Sequence, residues 1–228
     1  MVVLPLTSRV EWCPWFHRSV MVWVVLVFVR TYGDNGNLLM LQHRAKKLGY
    51  EVETTLISLE EDFNPDDFDI VMFGGGQDYE QTVVAKDLQN KKDALIQYIE
   101  DNGVVVAICG GFQLLGRYYV NASGERLNGI SAIDVCTNGQ FPNRLIGDVE
   151  IVNEEFGETY LGYENHIGRT YLGKNMKPLG KVVKGYGNNE EDHVEGCHYK
   201  NVFCSYFHGP ILAHTSRNNA EFSTSSNA

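Results

Sequence analysis

Cys109 stands between the apolar run Val104–Ile108 and a helix-like segment, with Gly110 and Gly111 directly after it. That arrangement presents a nucleophile. The glycines let the chain turn sharply at the end of a buried strand, and the Gly110 and Gly111 amides at the helix start can lower the thiol pKa and donate to a developing oxyanion. The competing reading is an inert buried cysteine with glycines that serve only as a turn. A cysteine nucleophile needs a base, which can lie far away in sequence. Of the seven histidines, His208 ends the aromatic run 202–207 and precedes Gly209-Pro210, mirroring the position of Cys109, although an ordinary turn histidine fits the same string. His166, in the polar, glycine-bounded stretch 162–170, is the second candidate, with a solvated hairpin as the plainer reading. His193-x3-Cys197 and Cys204-x3-His208 also offer four soft ligands at spacings zinc could use, but no Cys-x2-Cys knuckle accompanies them. Gly74-Gly75-Gly76 lacks the lysine and hydroxyl of a phosphate loop, because Gln77-Asp78 follow. An oxyanion or substrate-backbone contact suits it better.

The elements around these residues alternate. A Gly-Asp-Asn-Gly-Asn turn at 33–37 leads into a helical pattern over 38–48, stopped by Gly49. A strand pattern follows over 51–59, then the break Asn64-Pro65-Asp66-Asp67, the buried run 70–73, a helix over 91–101 and the strand before Cys109. Strand and helix alternating with glycine turns at strand ends predict an α/β fold with a doubly wound, mostly parallel sheet and the site at its carboxyl edge. After Gly116 the turn-rich texture predicts a meandering antiparallel half folded back on that sheet. The expected organisation is an atypical segment over 1–30, one domain over 31–214, and a disordered or tag-like tail over 215–228, rich in Ser, Asn and Thr.

A chain of 228 residues suits one such domain. The formal charge of −10 argues against a general nucleic-acid or anionic-membrane surface. Five cysteines, an odd number at scattered positions, do not resemble a disulfide framework and point to a reducing cytoplasm. The apolar run 20–29 is too short to span a bilayer as a helix, and no small-residue cleavage site follows it. A buried first strand accounts for its valine-rich composition.

Taken together, the strings resemble the class I, triad-type glutamine amidotransferases in their cobyric-acid-synthase-like branch. The strings that carry the likeness, Tyr-Gly-Asp-Asn-Gly-Asn, Gly-Gly-Gly-Gln-Asp, Ile-Cys-Gly-Gly-Phe-Gln-Leu-Leu-Gly, Asn-Arg-Leu-Ile-Gly-Asp, Glu-Asn-His-Ile-Gly-Arg-Thr and Tyr-Phe-His-Gly-Pro, occur in order at 32–37, 74–78, 108–116, 143–148, 164–170 and 206–210. The resemblance implies the family's flavodoxin-like fold and hydrolysis of L-glutamine. Cys109 would attack the side-chain carboxamide, His208 would shuttle the proton, and backbone amides near Gly75 and Gly110 would form the oxyanion hole. Arg144 and Gln113 would contact the substrate, the guanidinium being a suitable clamp for an α-carboxylate, against the plainer reading of Arg144 as a solvated surface residue. No cofactor or metal is implied in this chain. Ammonia would pass to a MurT-type, Mur-ligase-like partner that uses ATP and Mg to amidate the D-glutamate of lipid II. An amidotransferase of cobyrinic-acid type and a catalytically silent scaffold of the same fold are the alternatives. One departure concerns the third catalytic residue. Where many class I relatives carry a glutamate two residues after the histidine, this chain has Pro210, which leaves a Cys109–His208 dyad or an orienting acid elsewhere, with Glu164 the candidate. The first thirty residues and the stretch after Pro210 also depart from the family's pattern.

Overall fold

The computed structural model describes residues 20–25, 35–76, 78–209 and 215–217. Its main sheet runs β13-β14-β4-β3-β1-β2, formed by β1 (Val20–Val25), β2 (Val52–Leu56), β3 (Ile70–Phe73), β4 (Val104–Ile108), β13 (Cys197–Tyr199) and β14 (Val202–Ser205). All neighbours pair in parallel except β13 on β14. The central strands are apolar on both faces because both are covered: Val71, Val105, Ala107, Val202 and Cys204 are fully buried. The connecting helices are α1 (Asn35–Lys47), α2 (Asp78–Glu100) and the short α3 (Gly110–Leu115).

Helix α2 starts well before the expected 91–101. Its middle turn hides from a periodicity reading because Asp87 and Lys91 occupy inward positions, where they form a buried ion pair at 2.5 Å, and Asp87 also accepts from the Glu60 amide. A buried pair satisfied in this way does the work of apolar residues at a core-facing position. Among the described residues no helix is long and apolar enough to cross a membrane, and the first part of the 20–29 run is the strand β1.

The second half builds two further sheets. One, ordered β10-β7-β5-β6, joins β5 (Tyr118–Val120), β6 (Arg126–Asn128), β7 (Val135–Asn138) and β10 (Arg169–Leu172). The other, ordered β12-β11-β8-β9-β15, is antiparallel and joins β8 (Leu145–Asn153), β9 (Glu158–His166), β11 (Gly180–Lys184), β12 (Val194–Glu195) and β15 (Phe207–His208). Two details differ from the sequence expectation. The chain leaves the antiparallel half and re-enters the main sheet as β14, parallel to β4, with Ser205 opposite Ile108. Thr215–Arg217, expected in the tail, forms β16 against β9; the rest of the tail and most of residues 1–30 lie outside the described residues.

Candidate active site

Cys109 directly follows β4 in a backbone conformation, φ 49° and ψ −104°, that side-chain-bearing residues rarely adopt. Such strain survives only where neighbours over-determine it. The Cys109 amide donates to Ser205 O at 2.8 Å, its carbonyl accepts from Gln113 N at 3.1 Å, and the residue is 8% exposed. The two glycines that follow are sterically required. A Cβ on Gly111 would overlap the Phe73 Cβ, and one on Gly110 would overlap the Gln81 amide and press on Gly76 N. Helix α3 therefore lies directly on the 74–76 loop, and Gly111 N donates to Gly74 O at 3.1 Å. That bond corrects one expectation: the Gly111 amide is committed to the loop and is not an oxyanion donor.

His208 reaches the same edge by a different route. From Ser205, in register with Ile108, three residues carry the chain past the edge to β15, where His208 is opposite Tyr163 and Phe207 is opposite Glu164. The histidine is buried, and the next carbonyl, Gly209 O, accepts from the fully buried Asn37 of α1 at 3.5 Å. Pro210 lies outside the described residues.

Arg144 precedes β8 and is exposed. Its Nε donates to Asn165 Oδ1 at 2.9 Å and a terminal nitrogen to Asn165 O at 3.0 Å. The loop before it is pinned by Arg169, which donates to Asn143 O and Ile167 O, binds Glu190 at 2.8 Å and lies over the Phe141 ring. Gln113 is 3% exposed; its Oε1 accepts from Gln81 Nε2 at 2.9 Å and its Nε2 donates to Tyr206 Oη at 3.0 Å. The strings at 164–170 and 206–210 contain Arg169 and Tyr206 without giving either a role, and nothing in residue type or spacing marked Gln81, because each acts through a contact made across elements.

Glu164 and His166 lie side by side in β9. Glu164, fully buried, accepts from the amides of Tyr186 at 2.7 Å and Gly187 at 2.9 Å. His166 stacks on Tyr206 with ring centroids 3.7 Å apart, and its Nδ1 lies 2.7 Å from Gly168 O. A carbonyl only accepts, so Nδ1 carries a proton, and Nε2 lies 3.8 Å from Glu164. Burial holds the His166 pKa below its ordinary value, against the pull of Glu164. Cys197 and Cys204 pair across β13 and β14, and burial pushes the first up to about 12 and the second well above its ordinary value. Among the described residues no three metal-ligating side chains converge. A groove of about 780 Å³ lined by Lys92, Arg117, Arg126, Ser131 and Tyr199 lies elsewhere, and no candidate site residue lines it.

A strained cysteine ending a central parallel strand, glycine-packed against a neighbouring strand-end loop and sharing its edge with a histidine, is the arrangement of an α/β glutamine amidotransferase. Solved structures share the fold: one glutamine amidotransferase matches 86% of this chain and 92% of its own with a TM-score of 0.55 at 16% identity. A PurLQS structure from Thermotoga maritima matches 85% and 89% with a TM-score of 0.53 at 19% identity. The CobB/CobQ-like glutamine amidotransferase domain profile matches residues 20–216, and this chain belongs to that family. Among curated relatives, the protein named lipid II isoglutaminyl synthase (glutamine-hydrolyzing) subunit GatD from Streptococcus pneumoniae is 58% identical, over 81% of this chain and 71% of the relative. The protein of the same name from Staphylococcus aureus is 44% identical, over 79% and 73%. A probable cobyric acid synthase from Methanothermobacter thermautotrophicus is 30% identical, over 71% of this chain and 34% of the relative.

Proposed function

We propose that this chain is the glutaminase subunit of a lipid II isoglutaminyl synthase, hydrolysing L-glutamine and delivering ammonia to a MurT-type ligase subunit that amidates the D-glutamate of lipid II to D-isoglutamine. The observation that carries this reading is the strained Cys109 elbow within a chain so similar to two subunits of that name. The cobyrinic-acid-type alternative has weaker support, since those relatives are less similar and are matched over only a third of their length.

In this reading Cys109 Sγ attacks the side-chain carboxamide carbon while its proton passes to His208. The C–N bond then breaks and ammonia leaves with the proton returned by His208. Water, deprotonated by His208, hydrolyses the γ-glutamyl thioester to glutamate and free thiol. The amides of Gly75 and Gly110, on the two segments that the Gly111–Gly74 bond holds together, stabilise both oxyanions. Arg144 holds the substrate α-carboxylate, and its anchorage to Asn165 orients the guanidinium beforehand. Gln113, expected to contact the substrate, has its side-chain oxygen engaged by Gln81 and its nitrogen by Tyr206, so in this reading it lines the elbow from behind. ATP and Mg belong to the ligase subunit, and this chain works in the cytoplasm, where its four described free cysteines stay reduced.

The test is glutamate release from glutamine by the purified chain, alone and with a MurT-type ligase, beside a Cys109→Ala control. Release that requires Cys109 supports the glutaminase. Silence in the presence of the ligase favours a scaffold that keeps the fold for partner contact.

A further inference from the structure

Gln81 lies in the first turns of α2, is 4% exposed, and has no place in the reaction as described so far. Its Nε2 spends hydrogens on two elements of the site: it donates to Gln113 Oε1 at 2.9 Å and reaches Gly76 O at 3.4 Å. Gln113 in turn donates its backbone amide to the Cys109 carbonyl and its side-chain amide to Tyr206 Oη. The Tyr206 hydroxyl is also bonded to Thr170, which is bonded to Thr137, so the chain of contacts ends on β10 and β7. The Gln81 amide occupies the space a Cβ on Gly110 would need, and Gly76 N lies 3.1 Å from the same point. One nitrogen thus touches the loop on one side of the nucleophile and the helix on the other.

Packing alone does not account for a glutamine here. Gln81 Oε1 is buried and has no hydrogen-bond partner among the described residues, an arrangement that disfavours folding relative to an apolar side chain of similar length. What the amide supplies is a fixed separation between the 74–76 loop and α3.

We propose that Gln81 is a positioning residue for the reaction at Cys109, holding the 74–76 loop and Gln113 in place so that the backbone amides of loop and helix converge on the oxyanion. This inference rests on the glutaminase reading. Gln81 touches neither substrate nor sulfur. It governs steps that develop an oxyanion and leaves the intrinsic reactivity of the thiol alone.

The experiment uses the chain assembled with its ligase partner and compares wild type with Gln81→Met, which keeps length and loses the donors, and Gln81→Leu, which keeps apolar bulk at the site and loses the donors. Four quantities are read: kcat and KM for glutamine, the alkylation rate of Cys109 by iodoacetamide, and its alkylation rate by the glutamine-mimicking ketone 6-diazo-5-oxo-norleucine. The expected result is a fall in kcat of about 100-fold, the size of losing one oxyanion donor, with KM within about 3-fold. The diazo-ketone reaction slows in parallel, and iodoacetamide reacts at the wild-type rate. The ratio of the two alkylation rates is read on the folded fraction, so a less stable variant still reports. A kcat near wild type in either variant overturns the proposal, as does an equal fall in both alkylation rates, which places the defect at the thiol. If wild type itself releases no glutamate, it is the glutaminase reading that fails.

Discussion

Arg144 is unusual among the candidate site residues in being exposed while its guanidinium is already held by the two hydrogen bonds it donates to Asn165. A lysine there keeps the charge and loses the planar fork. Arg144→Lys is therefore expected to raise KM for glutamine by roughly 10- to 100-fold, the range of one charge-assisted hydrogen bond, with kcat little changed because the α-carboxylate is far from the reacting carbon. Steady-state kinetics that show a kcat loss without a KM change would contradict that role. Glu164 poses a different question. Its carboxylate already serves the amides of Tyr186 and Gly187, and a glutamine can keep accepting through its remaining oxygen. Glu164→Gln should hold kcat within about 3-fold of wild type if Cys109 and His208 work as a dyad; a loss of the roughly 100-fold or more attached to general acid–base assistance would identify Glu164 as the third member.

At the scale of elements, the decisive contact is helix α3 on the 74–76 loop, which exists because positions 110 and 111 carry no side chain. Gly111→Ala drives a methyl into the Phe73 Cβ and the neighbouring Gly74 carbonyl, where neither strand nor helix start can yield. We expect a loss of about 1–3 kcal/mol in chemical denaturation, the usual cost of overpacking, together with loss of turnover as the loop moves. A variant as stable as wild type would mean the helix shifts freely. Tyr206 ties the elbow to the second sheet through Gln113 and Thr170. Tyr206→Phe keeps the ring stacked on His166 and tilted against Phe112 and strands the Gln113 and Thr170 groups, for an expected cost of about 1–3 kcal/mol. A neutral outcome in a thermal melt would show that water replaces the hydroxyl.

Across the whole molecule, the main sheet and the antiparallel sheet meet at Glu195. This fully buried residue of β12 accepts from the Ser205 hydroxyl, at the end of β14, at 3.3 Å and from Tyr206 N, just beyond it, at 2.6 Å. Burial, with Glu164 nearby, pushes its carboxyl pKa up to about 8, while the Tyr206 amide and Ser205 hydroxyl act in the other direction. The native state thus holds a proton that the unfolded chain releases near pH 4.3. Stability from this group is complete below that pH and is lost as pH rises toward about 8. His166 acts in the opposite sense: its folded pKa lies below the ordinary 6.5, so its contribution is present above that value and lost on acidification. Glu195→Gln isolates the first effect. It should flatten the decline in melting temperature between pH 5 and 8 and gain on the order of 1–3 kcal/mol at pH 8; parallel pH profiles for variant and wild type would exclude it.

Much of this protein was readable from its residues, because the signals were local. The runs at 70–73 and 104–108 are apolar throughout since both faces of a central parallel strand are covered, and the Cys-Gly-Gly string specified an elbow because only glycine permits the close approach that follows. The order of the strings, and the resemblance they carry, were equally available. The length of α2 was not, because its buried Asp87–Lys91 pair reads as a solvated turn until the partner is seen. Nor was the return of β14 beside β4, which brings the His208 end of the chain to the edge that holds Cys109; strand order depends on which apolar surfaces meet, and residue spacing does not encode it. The roles of Gln81, Tyr206 and Glu195 became visible only in three dimensions. Each is a polar residue whose partner lies on another element, and the cost of burying it unpaired shows its role only once that partner is in place.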